Sequence, residues 1–145
     1  MSDDIIQKLI ATHGEGGAAP TLEDWQAIFQ IQGSVPILNL LKFKPSVTGN
    51  AGNITGEEAY GRYANEAGPA FARAGGQQLF YGKAHHIFGT GDTSDWDAVI
   101  LTRYPSAKAL ANMWLDTVFI AAHRNRLDAL ERSQVLVFDG NANRL

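Results

Sequence analysis

The sequence predicts an α+β domain, an antiparallel sheet with its helices on one face. Three observations carry that class. Residues 35–43, VPILNLLKF, alternate so that Val35, Ile37, Leu41 and Phe43 share one face of a strand and Leu38 and Leu40 the other. Residues 78–89, QLFYGKAHHIFG, also read as a strand, and the turn residues GTGDTSD lead it into WDAVILTRY at 96–104, a hairpin. Behind Thr55 and behind Ser106, apolar residues recur at helical spacing, and each of those two side chains is placed to cap a helix.

Taken in chain order, Ser2 is read as the cap of a short helix carrying Ile5, Ile6, Leu9 and Ile10 inward, with Gly14 as its stop. GEGGAAP is a flexible linker, and Thr21 with Asp24 opens a second short helix around Leu22, Trp25, Ile28 and Phe29. Residues 1–32 therefore read as a helical arm added to a domain spanning 33–145. After strand 35–43 and a polar Gly/Asn loop, the capping pair Thr55 and Glu58 opens a helix with Tyr60, Tyr63, Ala64, Ala67, Ala70 and Phe71 inward. Pro69 is expected to kink or restart it, and Gly75-Gly76 to end it. The hairpin follows, then a helix from Ser106, a break near Asp116, a second helical segment, and a last strand in QVLVFDG. The order is β-α-β-β-α-β, the ferredoxin-like split unit. Helices on one face leave strand 35–43 with an uncovered apolar face, so a second subunit is expected there.

The composition excludes several function classes. A net charge of −3 and an isoelectric point near 5.7 argue against a nucleic-acid footprint, which needs a basic surface. With no cysteine there is no disulfide, thiol nucleophile or Cys-ligated metal. No HExxH motif or acidic cluster at ligand spacing appears, and the adjacent His85 and His86 point to opposite faces of one strand. No serine sits in a nucleophile elbow. The acidic start lacks the apolar core of a signal peptide, and no apolar run is long enough to span a bilayer, so the cytoplasm is the expected location.

The candidate site begins in WLDTVFIAAHRNR, residues 114–126. With Asp116 as a cap, the inward positions are Val118, Phe119, Ala122, His123, Arg126, Leu127 and Leu130. An imidazole and a guanidinium three residues apart on an apolar stripe either line a wet pocket or find partners in a core; both readings stay open. A buried cation needs a carboxylate, carbonyls or an anionic ligand. Asn39 interrupts ILNLL, where a polar side chain costs stability unless bonded. Tyr60 and Tyr63 lie one turn apart and face the sheet, while His86 shares a strand face with Phe80 and Phe88. A pocket between sheet and helices bordered by Asn39, Tyr60, Tyr63, His86, Trp114, His123 and Arg126 is expected, suited to a small aromatic or carboxylate-bearing molecule. As an enzyme, the chain would use His123 as base or ligand near a substrate held by Asn39 and the tyrosines. As a non-catalytic ligand-binding or interaction module, it would use His123 merely to fill space.

VPILNLLKFKP, the Tyr60/Tyr63 helix ending in AGGQQLFYG, VILTRYPSAKAL, AAHRNRLDAL and SQVLVFDG resemble the bacterial family labelled domain of unknown function thirteen-thirty, over residues 20–140. The resemblance implies membership in the dimeric α/β-barrel superfamily, in which two ferredoxin-like protomers pack sheet against sheet. It also implies a homodimer, and the cofactor-light oxygenation, isomerisation or dehalogenation chemistry common in that superfamily. A shorter stretch, WLDTVFIAAH, resembles the second-helix segment of haem-degrading monooxygenases of the same superfamily. That likeness implies haem with Asn39, Trp114 and His123 at the matching positions. The Trp-to-His interval here is one residue shorter, a rotation of about 100° on a helix. No other cofactor is expected.

Overall fold

A computed structural model of the protein describes residues 2–49, 52–92 and 95–140. Its elements are α1 (Ser2–His13), α2 (Leu22–Phe29), β1 (Val35–Phe43), β2 (Val47–Gly49), β3 (Gly52–Ile54), α3 (Gly56–Arg73), β4 (Gln77–Lys83), β5 (Ala98–Tyr104), α4 (Ala107–Leu115), α5 (Thr117–Ala129) and β6 (Leu130–Val137). The fold is α+β, as expected. Four strands form one open sheet in the order β4-β5-β1-β6, with every neighbouring pair antiparallel. The sheet does not close into a barrel within the chain.

Strand register sorts the side chains into two faces. Asn39 lies opposite Ile100 on β5 and Val135 on β6, and Ile37 lies opposite Thr102 and Val137. This inner face looks onto the helices. Leu38 lies opposite Leu101 and Leu136, Leu40 lies opposite Val99, and Phe80 lies opposite Leu101. These outer-face residues belong to neither apolar cluster of the chain, and Phe80 is 55% exposed. The larger cluster buries Ile6, Leu9 and Trp25 of α1 and α2 together with Val35, Ile37, Leu110 and Phe119.

Local chemistry explains the helix boundaries. The Thr21 hydroxyl accepts from Asp24 N–H at 3.1 Å and the Asp24 carboxylate accepts from Thr21 N–H at 2.9 Å, a complete capping box. At α3 half of the motif forms: Thr55 Oγ1 accepts from Glu58 N–H at 3.0 Å. Ser106 caps α4 through Ala109 N–H at 3.1 Å, and Asp116 both ends α4 and caps α5 through Val118 N–H at 2.9 Å. The anticipated break at Asp116 is therefore present. Gly75 takes a φ of +73° just past the end of α3, the left-handed step that stops a helix most readily with glycine.

Five expectations need correction. The strand expected to run to Phe88 ends at Lys83, opposite Ala98; one further bond, from Ala84 N–H to Asp97 O at 2.8 Å, is the last pairing among the described residues. Residues 84–88 are not strand, and of the turn that follows, Thr93 and Ser94 lie outside the described residues. The Gly/Asn loop folds into the β2–β3 hairpin, whose residues 50 and 51 are likewise outside them. Helix α3 runs unbroken through Pro69, because the carbonyl the ring leaves unpaired belongs to exposed Asn65 and faces water. Ser2 is the first helical residue of α1 rather than its cap. Leu130 starts β6 instead of ending α5, and Leu127 is 39% exposed.

Candidate functional site

A cavity of about 900 Å³ lies between the inner sheet face and helices α2, α3, α4 and α5. Six of the seven expected residues line it: Asn39, Tyr60, Tyr63, Trp114, His123 and Arg126. The seventh, His86, does not. It is exposed in the non-strand segment beyond β4, because sheet pairing stops before the alternation that placed it does.

Each lining side chain has an evident positioner. Asn39 sits mid-β1 with β5 on one side and β6 on the other, and its Oδ1 accepts from an Arg126 guanidinium N–H at 3.2 Å. The polar break in an apolar strand and the cation on an apolar helix stripe thus satisfy each other. Tyr60 packs its ring 5.2 Å from Tyr63 and 5.8 Å from Phe43. Burial raises the phenol of Tyr60, with the neighbouring Arg126 pulling the other way, and burial raises that of Tyr63 further. On the cavity wall Tyr104 is pushed up to about 12, again chiefly by burial. All three phenols are neutral hydrogen-bonding groups at any physiological pH.

The second half of the site is aromatic. His123 stacks on Phe119 with centroids 5.1 Å apart and an interplanar angle of 29°, and its ring lies 4.9 Å from Trp114. The Asp116 break lets Trp114 on α4 meet His123 on α5, which one uninterrupted helix with that interval would rotate apart. Arg73 fixes the joint, donating from Nε and a terminal N–H to the two Asp116 oxygens at 2.9 Å each. Arg73 and the Val118 N–H hold the Asp116 carboxyl below the usual carboxylate range.

Helix α1 adds a residue with no place in the expected site. His13 Nε2 donates to Trp114 O at 2.7 Å, and its ring sits 5.0 Å from Trp114 and 5.9 Å from His123. Trp25 closes the cluster 5.5 Å from Trp114. The signal was available: Ile6, Leu9, Ile10 and His13 continue one stripe at helical spacing. A smaller chamber of about 180 Å³ lies where His13, Trp114 and His123 meet the linker residues Gly16, Ala18 and Ala19.

His123 is lowered to about 4 by burial first, then by Arg126 and His13, so it is a neutral imidazole at neutral pH. An unfolded chain protonates it near pH 6.5. The folded state binds that proton later, so the contribution of His123 to stability is complete above pH 6.5 and is lost as pH falls toward 4. Because the side chain is partly exposed, a discounted loss of about 1–2 kcal/mol is expected. Urea unfolding at pH 7 and pH 4.5 measures it, and His123→Phe, which keeps the ring stack, should remove this part of the acid sensitivity. An unchanged acid limb in the variant would contradict the assignment.

Among the described residues no three metal-ligating side chains converge. No described helix is long and apolar enough to cross a membrane.

Comparison with known proteins gives the chain its family. The model of the domain of unknown function DUF1330 matches residues 48–140, and the chain belongs to that family. Among solved structures, it is similar to the methylated RPA0582 protein, with 29% identity, a TM-score of 0.74, and 86% of this chain and 94% of that one covered. A second structure of RPA0582, from Rhodopseudomonas palustris and described as of unknown function, is also 29% identical, with a TM-score of 0.73 and coverage of 86% and 96%. The protein At3g17210 of Arabidopsis thaliana shares the fold, at 18% identity, a TM-score of 0.53, and coverage of 77% of this chain and 99% of that one. No curated protein matches the chain.

Proposed function

We propose that the protein binds a small apolar monocarboxylate in the cavity between sheet and helices, as a homodimer of ferredoxin-like protomers. One observation carries the ligand reading. Arg126 lines a largely apolar cavity with a neutral partner, Asn39, and makes no ion pair with any described residue. Such a cation recovers most when it meets an anion. Asp24, an acid on the same wall, is already committed to the α2 capping box.

A binding role is better supported than a catalytic one. An imidazole lowered to about 4 is a weak base at neutral pH, and Asn39 is spoken for by Arg126. The haem alternative rests only on the likeness of one short stretch, whose Trp-to-His interval departs by one residue. Strand order β4-β5-β1-β6 with helices on one face supports the ferredoxin-like assignment, and the apolar outer face supports the dimer.

The test is calorimetric titration of the full chain with 4-phenylbutanoate and with 4-phenylbutylamine, equal in apolar body and opposite in charge. The acid is expected to bind and the amine not to. Arg126→Gln, which keeps a donor for Asn39, should weaken the acid roughly 10- to 100-fold, the worth of a charge-assisted hydrogen bond. Equal binding of acid and amine would refute the reading.

A further inference from the structure

The geometry points to a more defined ligand, one whose carboxylate meets Arg126 and whose second oxygen, a ketone or equivalent acceptor, meets His123 Nε2 one helical turn away. This rests on the reading of the cavity as a carboxylate site and adds the second anchor.

The argument starts from the imidazole. His123 Nδ1 is buried and has no hydrogen-bond partner, and it is the one side-chain atom in that state among the described residues. The ring lines both the large cavity and the smaller chamber, so Nε2 is the nitrogen open to them, and no described residue bonds it. A buried N–H without an acceptor is the least tolerated of orphaned polar groups. The proton therefore belongs on Nε2, and Nδ1 keeps its lone pair among aromatic rings. The faces of the ring are occupied by Phe119 and Trp114, which leaves its edge to act. The neutral state of the imidazole agrees with this, since burial, Arg126 and His13 all oppose a second proton.

His123 and Arg126 are three residues apart on α5, so their side chains project from one face about 5–6 Å apart at Cβ. Both present N–H groups. Two donors at that spacing match two acceptors: a carboxylate and an oxygen several bonds away, as in a 4-oxo acid. An amino or ammonium group at the second position would set donor against donor. Aliphatic and aromatic walls, among them Ile37, Ile100, Met113 and Val135, suit an apolar body beyond the ketone.

The experiment compares 4-oxo-4-phenylbutanoate with 4-phenylbutanoate, which lacks the ketone, by calorimetric titration of the full chain. The oxo acid is expected to bind about tenfold tighter, as one added hydrogen bond allows. His123→Phe should erase that preference, so that the two acids bind it alike. His123→Gln, whose amide nitrogen reaches about as far as Nε2, should retain it, and His123→Asn, which reaches only as far as Nδ1, should lose it. Equal affinities of the two acids for the natural protein overturn the inference without needing any variant, as does a preference that survives in His123→Phe. If neither acid binds, the carboxylate-site reading falls as well; if both bind equally, only the second anchor falls.

Discussion

Phe119→Ala is expected to destabilise the protein by about 3–5 kcal/mol, the usual cost of deleting a fully buried aromatic ring. Phe119 is 2% exposed, stacks on His123 and lies 5.1 Å from Trp114, so its removal leaves a hole that neither neighbour can fill without losing the other. Chemical denaturation measures the loss as a lower midpoint at unchanged slope. Phe119 also lines the cavity, so a variant stable enough to titrate should bind 4-phenylbutanoate more weakly, although Phe119 itself carries no polar group. A cost below about 1 kcal/mol would mean that the cluster repacks freely and that the wall is not preorganised.

The largest expected effect on assembly comes from the outer sheet face. Leu101 lies at its centre, opposite Leu38 on β1 and Phe80 on β4. In the proposed homodimer this face is buried, and a glutamate there would place a charge in an apolar interface with nothing to pair it. Light scattering should give the natural chain a mass of twice 15.7 kDa, and Leu101→Glu the mass of a single chain with its helical circular dichroism intact. A single-chain mass for the natural protein at micromolar concentration would refute the dimer and leave exposed Phe80 and half-buried Leu38 and Leu101 as an apolar patch without a purpose.

Much of the fold was legible because its signals are local. Thr21, Thr55, Ser106 and Asp116 each announce a helix start by a short side chain that accepts a backbone N–H, and all four do so. The site was legible where a polar residue broke an apolar pattern. Asn39 in a strand and Arg126 on a helix were each out of place, and each turns out to be the other's partner, though 87 residues separate them. The misses concern where a pattern stops. Alternation continues through residues 84–88, but a strand needs a neighbour as well as a pattern, and beyond the bond from Ala84 N–H to Asp97 O no described residue pairs with this segment. His86 was misplaced for that reason. His13 was overlooked for a related one: its stripe is visible, but its role depends on the docking of α1 against α4, a long-range contact that no local signal encodes.

The ion pair between Arg73 and Asp116 has a consequence for how such a site diversifies. Asp116 sets the joint between the two helices that carry Trp114 and His123, and its partner Arg73 is 54% exposed on the molecular surface. A substitution at Arg73 touches no wall of the cavity, yet it loosens the joint on which the spacing of those two rings depends. Descendants of this chain therefore have a route to new ligands in which the lining stays fixed and its shape is retuned from outside, one surface residue at a time.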